Sequence, residues 1–160
     1  MITDSAPAFA DALPGGGVLI GLDLGTKTIG LATCDAGWRI ATAGATLPRG
    51  KFGQNAEAIA KLMEDRRATG IVVGLPRNMN GSEGARAQAS RSFAQNLLSY
   101  LSARSQPLSA PLLLWDERWS TQAAERDMIG QDFSRKKRAS RIDSHAAAII
   151  LQGAIDAMTR

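Results

Sequence analysis

The chain has 160 residues, 44% of them hydrophobic and 21% charged, a globular balance that excludes disordered and fibrous classes and suits a single core. Subtracting 15 Asp and Glu from 19 Lys and Arg leaves +4, an excess that permits a polyanionic partner without demanding one. The one cysteine, Cys34, excludes an intrachain disulfide and a cysteine-rich zinc site, and it fits a reducing cytoplasm.

The first 16 residues, biased to Ala, Pro and Gly, lack the basic and apolar regions of a secretory signal and read as a flexible tail. From Gly17 to Leu24 a continuous apolar run predicts a buried strand, and Gly25-Thr26-Lys27 a turn. Thr28–Cys34 reads as a second strand, and Asp35-Ala36-Gly37 as a hairpin signal before a third, Trp38–Leu47. The period then changes. Asn55–Arg67 carries Ile59, Leu62 and Met63 at helical spacing, and Gly70 leads into the short apolar strand IVVGLP. Pro76–Gly84 is a loop, and Ala85–Ala103 a second helix. The run LLLW before Asp116 is a further buried strand. Thr121–Ile129 reads as a short helix, Gln131–Ser140 as a polar, basic loop, and Ile142–Met158 as a closing Ala-rich helix. No apolar run approaches the roughly 20 residues of a membrane span.

This order predicts one α/β domain over residues 17–160: a mixed five-stranded sheet, three strands in an antiparallel meander and two parallel, with helices on both faces. Ligands of such sheets gather where strand ends open a crevice. Three acids stand at such places. Asp23 closes the first strand, Glu117 follows the last, and Asp143 opens the closing helix. Each has a plainer reading: Asp23 as a turn acid before Gly25, Asp116 or Glu117 as a solvated neighbour on the opposite face of its strand, Asp143 as a capping partner of Ser140. If the three converge, their mutual repulsion calls for divalent cations. Hard oxygen ligands select Mg²⁺ or Mn²⁺, and two such ions about 4 Å apart suit phosphodiester hydrolysis.

Basic residues complete the pattern. Arg135, Lys136, Lys137 and Arg138, with Arg141, precede Asp143, while Arg77 and Arg86 flank the Pro76–Gly84 loop. Lys27 and Arg118 sit beside the first two acids. In isolation such charges are a solvated surface; beside a carboxylate cluster they are candidates to hold nucleic-acid phosphates. His145, the one histidine, is a weaker candidate as ligand or base. Trp115, inside an apolar run, reads as core, and Trp119 as a residue that could stack on bases. Small residues after Asp143, such as Ala146 and Ala147, would let the closing helix approach the sheet closely.

The segments GLDLGTKTIGLA, IVVGLPRNMNGSEGARA, WDERWST and RKKRASRIDSHAAAIILQ, in this order over residues 18–152, resemble the four motifs of the YqgF (RuvX) family. Its members are named for pre-16S rRNA nuclease activity and are similar to Holliday junction resolvases of RNase H-like fold. The resemblance implies cleavage of structured RNA with Mg²⁺ or Mn²⁺, with the family's acids falling on Asp23, Glu117 and Asp143. The implied role is 5′-end maturation of pre-16S rRNA, on free RNA or on ribosomal particles. Thr28 stands where the family often has a basic residue, and Trp119 where it has an aliphatic one; neither touches the three acids. Other readings are a resolvase acting on four-way DNA, which would need a homodimer rather than a monomer, and a non-catalytic RNA- or ribosome-binding protein. The Asp-Leu-Gly-Thr turn also resembles the phosphate loop of actin-like ATPases, but those need two lobes and this chain has length for one.

Overall fold

A computed structural model describes residues 1–118 and 135–159, with side chains for 1–118 and 145–159. Its elements are β1 (Ile2–Thr3), α1 (Ala6–Ala12), β2 (Leu19–Leu24), β3 (Thr28–Cys34), β4 (Ala41–Pro48), α2 (Phe52–Arg66), β5 (Gly70–Leu75), α3 (Ala85–Ala103), β6 (Leu112–Asp116) and α4 (Arg135–Met158). They build one mixed sheet of order β1-β6-β5-β2-β3-β4. β2, β3 and β4 form the expected antiparallel meander, and β5 runs parallel to both β2 and β6.

Alternation along the central strands divides the core in two. Ile20, Leu22, Ile71, Val73, Leu112 and Leu114 face α2 and α3. Leu19, Val72 and Leu113 face the other way, against α1 and α4, where Ala147, Ile150, Leu151 and Ala154 pack. The helix comes close because β2 carries Gly21 on that face: a Cβ there would stand 2.9 Å from Leu151 Cβ and 3.1 Å from the Ala147 carbonyl. The small residues expected on the closing helix thus have a glycine as their counterpart on the sheet.

Three expectations are corrected. The N-terminal segment is not a loose tail. β1 pairs in parallel with β6 and makes the sheet six-stranded rather than five-stranded. α1 buries Phe9 completely, and Ala6 and the C-capping Leu13 are buried beside it. Its composition misleads because Pro7 sits in the first turn, where the missing N–H costs nothing, and the Ser5 hydroxyl caps the helix by accepting from Ala8 N–H at 3.2 Å. Phe9→Ala is therefore expected to destabilise the fold by about 3–5 kcal/mol, as read by urea denaturation; an unchanged midpoint would mean that α1 is not part of the cooperative unit.

The second correction concerns the closing helix, which begins at Arg135 rather than Ile142. Polarity suggests a loop for Arg135–Ser140, but Arg, Lys and Ala are all good helix formers. Asp143 accordingly lies inside α4 and not at its start, so the capping arrangement with Ser140 falls away. Third, the strand expected from Trp38 starts at Ala41. Trp38 has φ 56° and donates its indole N–H to Gly17 O at 2.8 Å, while the Asp35 carboxylate accepts from the N–H groups of Gly37, Arg39 and Ile40. These bonds close the hairpin before the strand begins. The predicted helix Thr121–Ile129, Trp119 and residues 131–134 of the predicted loop lie outside the described residues.

Candidate active site

The chain leaves β2 toward β3 and β4 on one side and returns through α2 to β5 on the other. A crevice opens at the carboxyl ends of parallel strands where such a sheet reverses direction, and the first two predicted acids stand there. Asp23, partly buried, shares the α4 face with Leu19 and Gly21 by alternation. Glu117 follows β6 directly, and its N–H donates to Leu75 O at 3.3 Å, extending the pairing with β5. Trp115 packs on the α4 side, so Glu117, two residues on, points to the same face.

β6 and β2 are not neighbours, because β5 lies between them. What lets their acids approach is Gly74. A Cβ at that position would collide with Glu117 Oε2 and stand 2.7 Å from Ile150 Cδ1. The Glu117 carboxylate therefore lies over the bare backbone of β5. The register Leu22↔Val73 puts Gly74 beside Asp23, and on the other side Asp23 is directly opposite Gly30. The positions level with Asp23 on both neighbouring strands are thus glycines.

Burial, first, and then the charge of Asp23 push the Glu117 carboxyl up to about 7; Asp116 adds to this and Arg86 opposes it. Asp116 points the other way. Its carboxylate accepts from Arg118 Nε at 2.9 Å and lies 2.8 Å from Nη2, and Arg118 reaches on to the Met79 carbonyl at 3.4 Å. The two neighbouring acids thus point to opposite faces of β6, as alternation along a strand predicts.

Asp143 is carried by α4, one turn before Ala147, whose carbonyl lies against Gly21 two residues before Asp23 on the same face. Its side chain, with those of Arg135, Lys136, Lys137, Arg138 and Arg141, lies outside the described residues. Among the described residues no three Asp, Glu, His or Cys side chains gather into a metal-binding group.

Of the other basic candidates, Lys27 is exposed in the β2–β3 turn, and Arg86 is exposed in the first turn of α3. Arg77 stands 3.7 Å from Glu83 and 3.8 Å from Asp4, which ties the Pro76–Gly84 loop to the N-terminal segment. Glu83 also accepts from Arg91 through both oxygens, at 2.6 and 2.7 Å. Within the loop, Asn78 and Asn80 bond to Ser82, so it carries its own scaffold. Cys34 is buried away from the carboxylates; its sulfur accepts from Leu19 N–H at 3.3 Å, and burial pushes its thiol up.

Comparison with known proteins gives a consistent picture. The family model described as RuvX, Holliday junction resolvase, matches residues 17–157. A protein of Novosphingobium aromaticivorans with the provisional name pre-16S rRNA nuclease is 60% identical over 158 residues, covering 99% of this chain and 97% of its own. One of Sphingopyxis alaskensis with the same provisional name is 58% identical over 160 residues, the whole of both chains. Among solved structures, Thermus thermophilus RuvC in complex with a Holliday junction substrate superposes with a TM-score of 0.55 at 14% identity, covering 89% of this chain and 96% of that one. The yeast mitochondrial Holliday junction resolvase Ydc2 also reaches 0.55, at 13% identity over 96% of this chain and 84% of its own. These two likenesses establish the fold.

Proposed function

The chain belongs to the RuvX family, and on that premise we propose that it is a metal-dependent nuclease that hydrolyses phosphodiester bonds in structured RNA, maturing the 5′ end of pre-16S rRNA in the cytoplasm. The observation that carries the reading is the Glu117 carboxylate laid over Gly74 toward Asp23, at the carboxyl ends of parallel strands. Two carboxylates are brought together against their own repulsion, and burial raises the cost further. A fold gains nothing from that arrangement by itself.

A divalent cation removes the cost, and the donor set fits one: hard carboxylate oxygens select Mg²⁺ or Mn²⁺. Asp23, Glu117 and Asp143 would hold it, as one ion or two. When bound, such ions lower the pKa of an attacking water and stabilise the leaving oxygen. The chain's own part is positional. Gly74 and Gly30 flank Asp23, Ile150 packs over Gly74 beside Glu117, and Arg86 offsets the negative charge. Lys27, Arg77, Arg86 and Arg118, with Arg135, Lys136, Lys137, Arg138 and Arg141, are assigned to phosphates of the RNA, whose binding then weakens as salt rises.

The test incubates wild type and Asp23→Asn with an end-labelled 16S precursor leader and a four-way DNA junction, in Mn²⁺ or in EDTA. The expected result is RNA cleavage that needs the metal and disappears in the variant. Cleavage of the junction alone would replace RNA by branched DNA as substrate. Binding without cleavage, on free RNA and on ribosomal particles alike, would make the protein a binding module.

A further inference from the structure

Beyond the carboxylates, on the far side of the same sheet edge, the Gly25–Lys27 turn faces the first turn of α3 across a crevice. It holds about 80 Å³, lined by Gly25, Thr26, Arg49, Arg86 and Ser90, and a second space of about 330 Å³ beside Lys27 shares Gly25, Thr26 and Arg86 with it. Leu24 in its lining belongs to the core on the α3 side of the sheet, whereas Asp23 and Glu117 lie on the α4 side. The two sites are therefore distinct, and Arg86 links them: it lines the crevice, and its charge acts on Glu117.

Arg49 carries no signal of its own in the sequence, yet the fold fixes it from several directions. Its N–H donates to Lys27 O at 2.8 Å, and its Nη1 donates to Gly25 O at 2.6 Å. Its guanidinium stands 5.5 Å from the Phe93 ring centroid. The backbone around it is clamped by buried Asn55, which donates to Pro48 O at 3.1 Å and accepts from Gly50 N–H at 3.0 Å. None of these partners carries a formal negative charge. By contrast, Arg77, Arg91, Arg104 and Arg118 all stand against carboxylates. The first turn of α3 holds no acidic residue and has no side-chain cap, so its dipole and Arg86 favour an anion in the same place.

The geometry points to a phosphate-binding subsite formed by the Gly25–Lys27 turn, Arg49 and Arg86, which holds one backbone phosphate of the RNA strand, displaced by one or more nucleotides from the bond that is cut. It rests on the nuclease reading above and adds the path of the substrate: the strand crosses the sheet edge from the α4 side to the α3 side. Arg49 presents a planar fork suited to phosphate oxygens, and its anchoring lowers the entropy lost on binding.

The test measures binding of the precursor leader RNA in EDTA, where no metal-dependent cleavage competes, by fluorescence anisotropy over a series of salt concentrations. Wild type, Arg86→Gln, Arg49→Lys and the double variant Arg49→Gln/Arg86→Gln are compared after their folding is checked by circular dichroism. The double variant is expected to bind at least tenfold more weakly, with a salt slope shallower by about 0.7, the contribution of one phosphate of a single strand. Arg86→Gln, a change on an exposed helix position, keeps the test interpretable if the Arg49 substitutions perturb the turn. Single uncharged methylphosphonate linkages placed along the RNA then locate the contact. One position away from the cut weakens wild-type binding and has no further effect in the double variant. A scan with no such position, or an equal penalty in both proteins, would overturn the subsite. Failure of wild type to cleave any RNA in Mn²⁺ would instead overturn the nuclease reading, and the two failures are read in separate experiments.

Discussion

Glu117→Gln is expected to lose turnover by about a thousandfold or more and, in EDTA at pH 8, to make the protein more stable than wild type. Both effects have one cause. The Glu117 carboxyl is pushed up to about 7 from an ordinary 4.5 by burial and by Asp23. The folded state therefore binds this proton more tightly than the unfolded chain does. The resulting stabilisation is complete below about pH 4.5 and is lost as pH rises through about 7. Above that, an ionised Glu117 destabilises the metal-free fold by up to about 3 kcal/mol, because each tenfold difference in proton affinity between the two states is worth about 1.4 kcal/mol. Glutamine is nearly isosteric and never ionises, so it escapes the loss.

Urea denaturation of both proteins in EDTA between pH 4 and pH 8 checks this. The stability difference should open between pH 5 and 8, with the variant ahead. Added Mg²⁺ or Mn²⁺ should narrow it by binding the folded wild type. Equal stability across the range would mean that the carboxylate is not held in the environment described. A group that weakens the fold in the absence of its ligand is what a site selected for function looks like.

Much of this arrangement is legible in the residues, for reasons that can be stated. The two parallel strands are short apolar runs bounded by turn residues, a pattern with few alternatives. Ala85–Ala103 shows its helical period over its whole length, and α3 has those same bounds. Asp23 and Glu117 stand out because acids that end buried strands are uncommon. Their approach is not visible in the sequence, because strand order is set by long-range pairing. No local pattern says that β5 comes between β2 and β6, or that Gly74 is the residue in the gap. A glycine inside an apolar strand is the available signal, since it marks a close approach of something to the backbone. The N-terminal segment is hidden for the opposite reason. Its helix is short, and its Ala and Pro content resembles a tail until Phe9 is seen in the core. Arg49 escapes a reading of the sequence because its role depends on Gly25 and Phe93, which are remote along the chain.

Gly74→Ala is expected to reduce kcat by about a hundredfold or more while leaving KM for RNA within a few-fold of wild type. The added methyl group occupies the space of Glu117 Oε2 and presses on Ile150 Cδ1 at 2.7 Å. Neither neighbour is backbone, so the fold can respond by moving both side chains rather than by opening the sheet. Overpacking of this kind costs about 1–3 kcal/mol. The functional cost is larger in proportion, because a carboxylate displaced by about 1 Å loses its alignment with the reacting group, a misplacement worth about 10²-fold. Substrate affinity should hold, since the added methyl group meets Glu117 and Ile150 rather than a basic residue assigned to RNA. A purely structural role for Gly74 predicts something different, a fall in stability with kcat per folded molecule unchanged. Two further measurements separate the cases. Titration of Mn²⁺ into the metal-free protein should show weaker binding in Gly74→Ala, without reference to activity. In a Glu117→Ala background, Gly74→Ala should cost less stability than it does in wild type, because the colliding oxygen is gone and only the Ile150 contact remains. The interaction energy of that double-mutant cycle reports the Gly74–Glu117 contact directly. A cycle with no coupling, together with unaltered Mn²⁺ binding, would remove Gly74 from the account and leave the convergence of Asp23 and Glu117 without its cause.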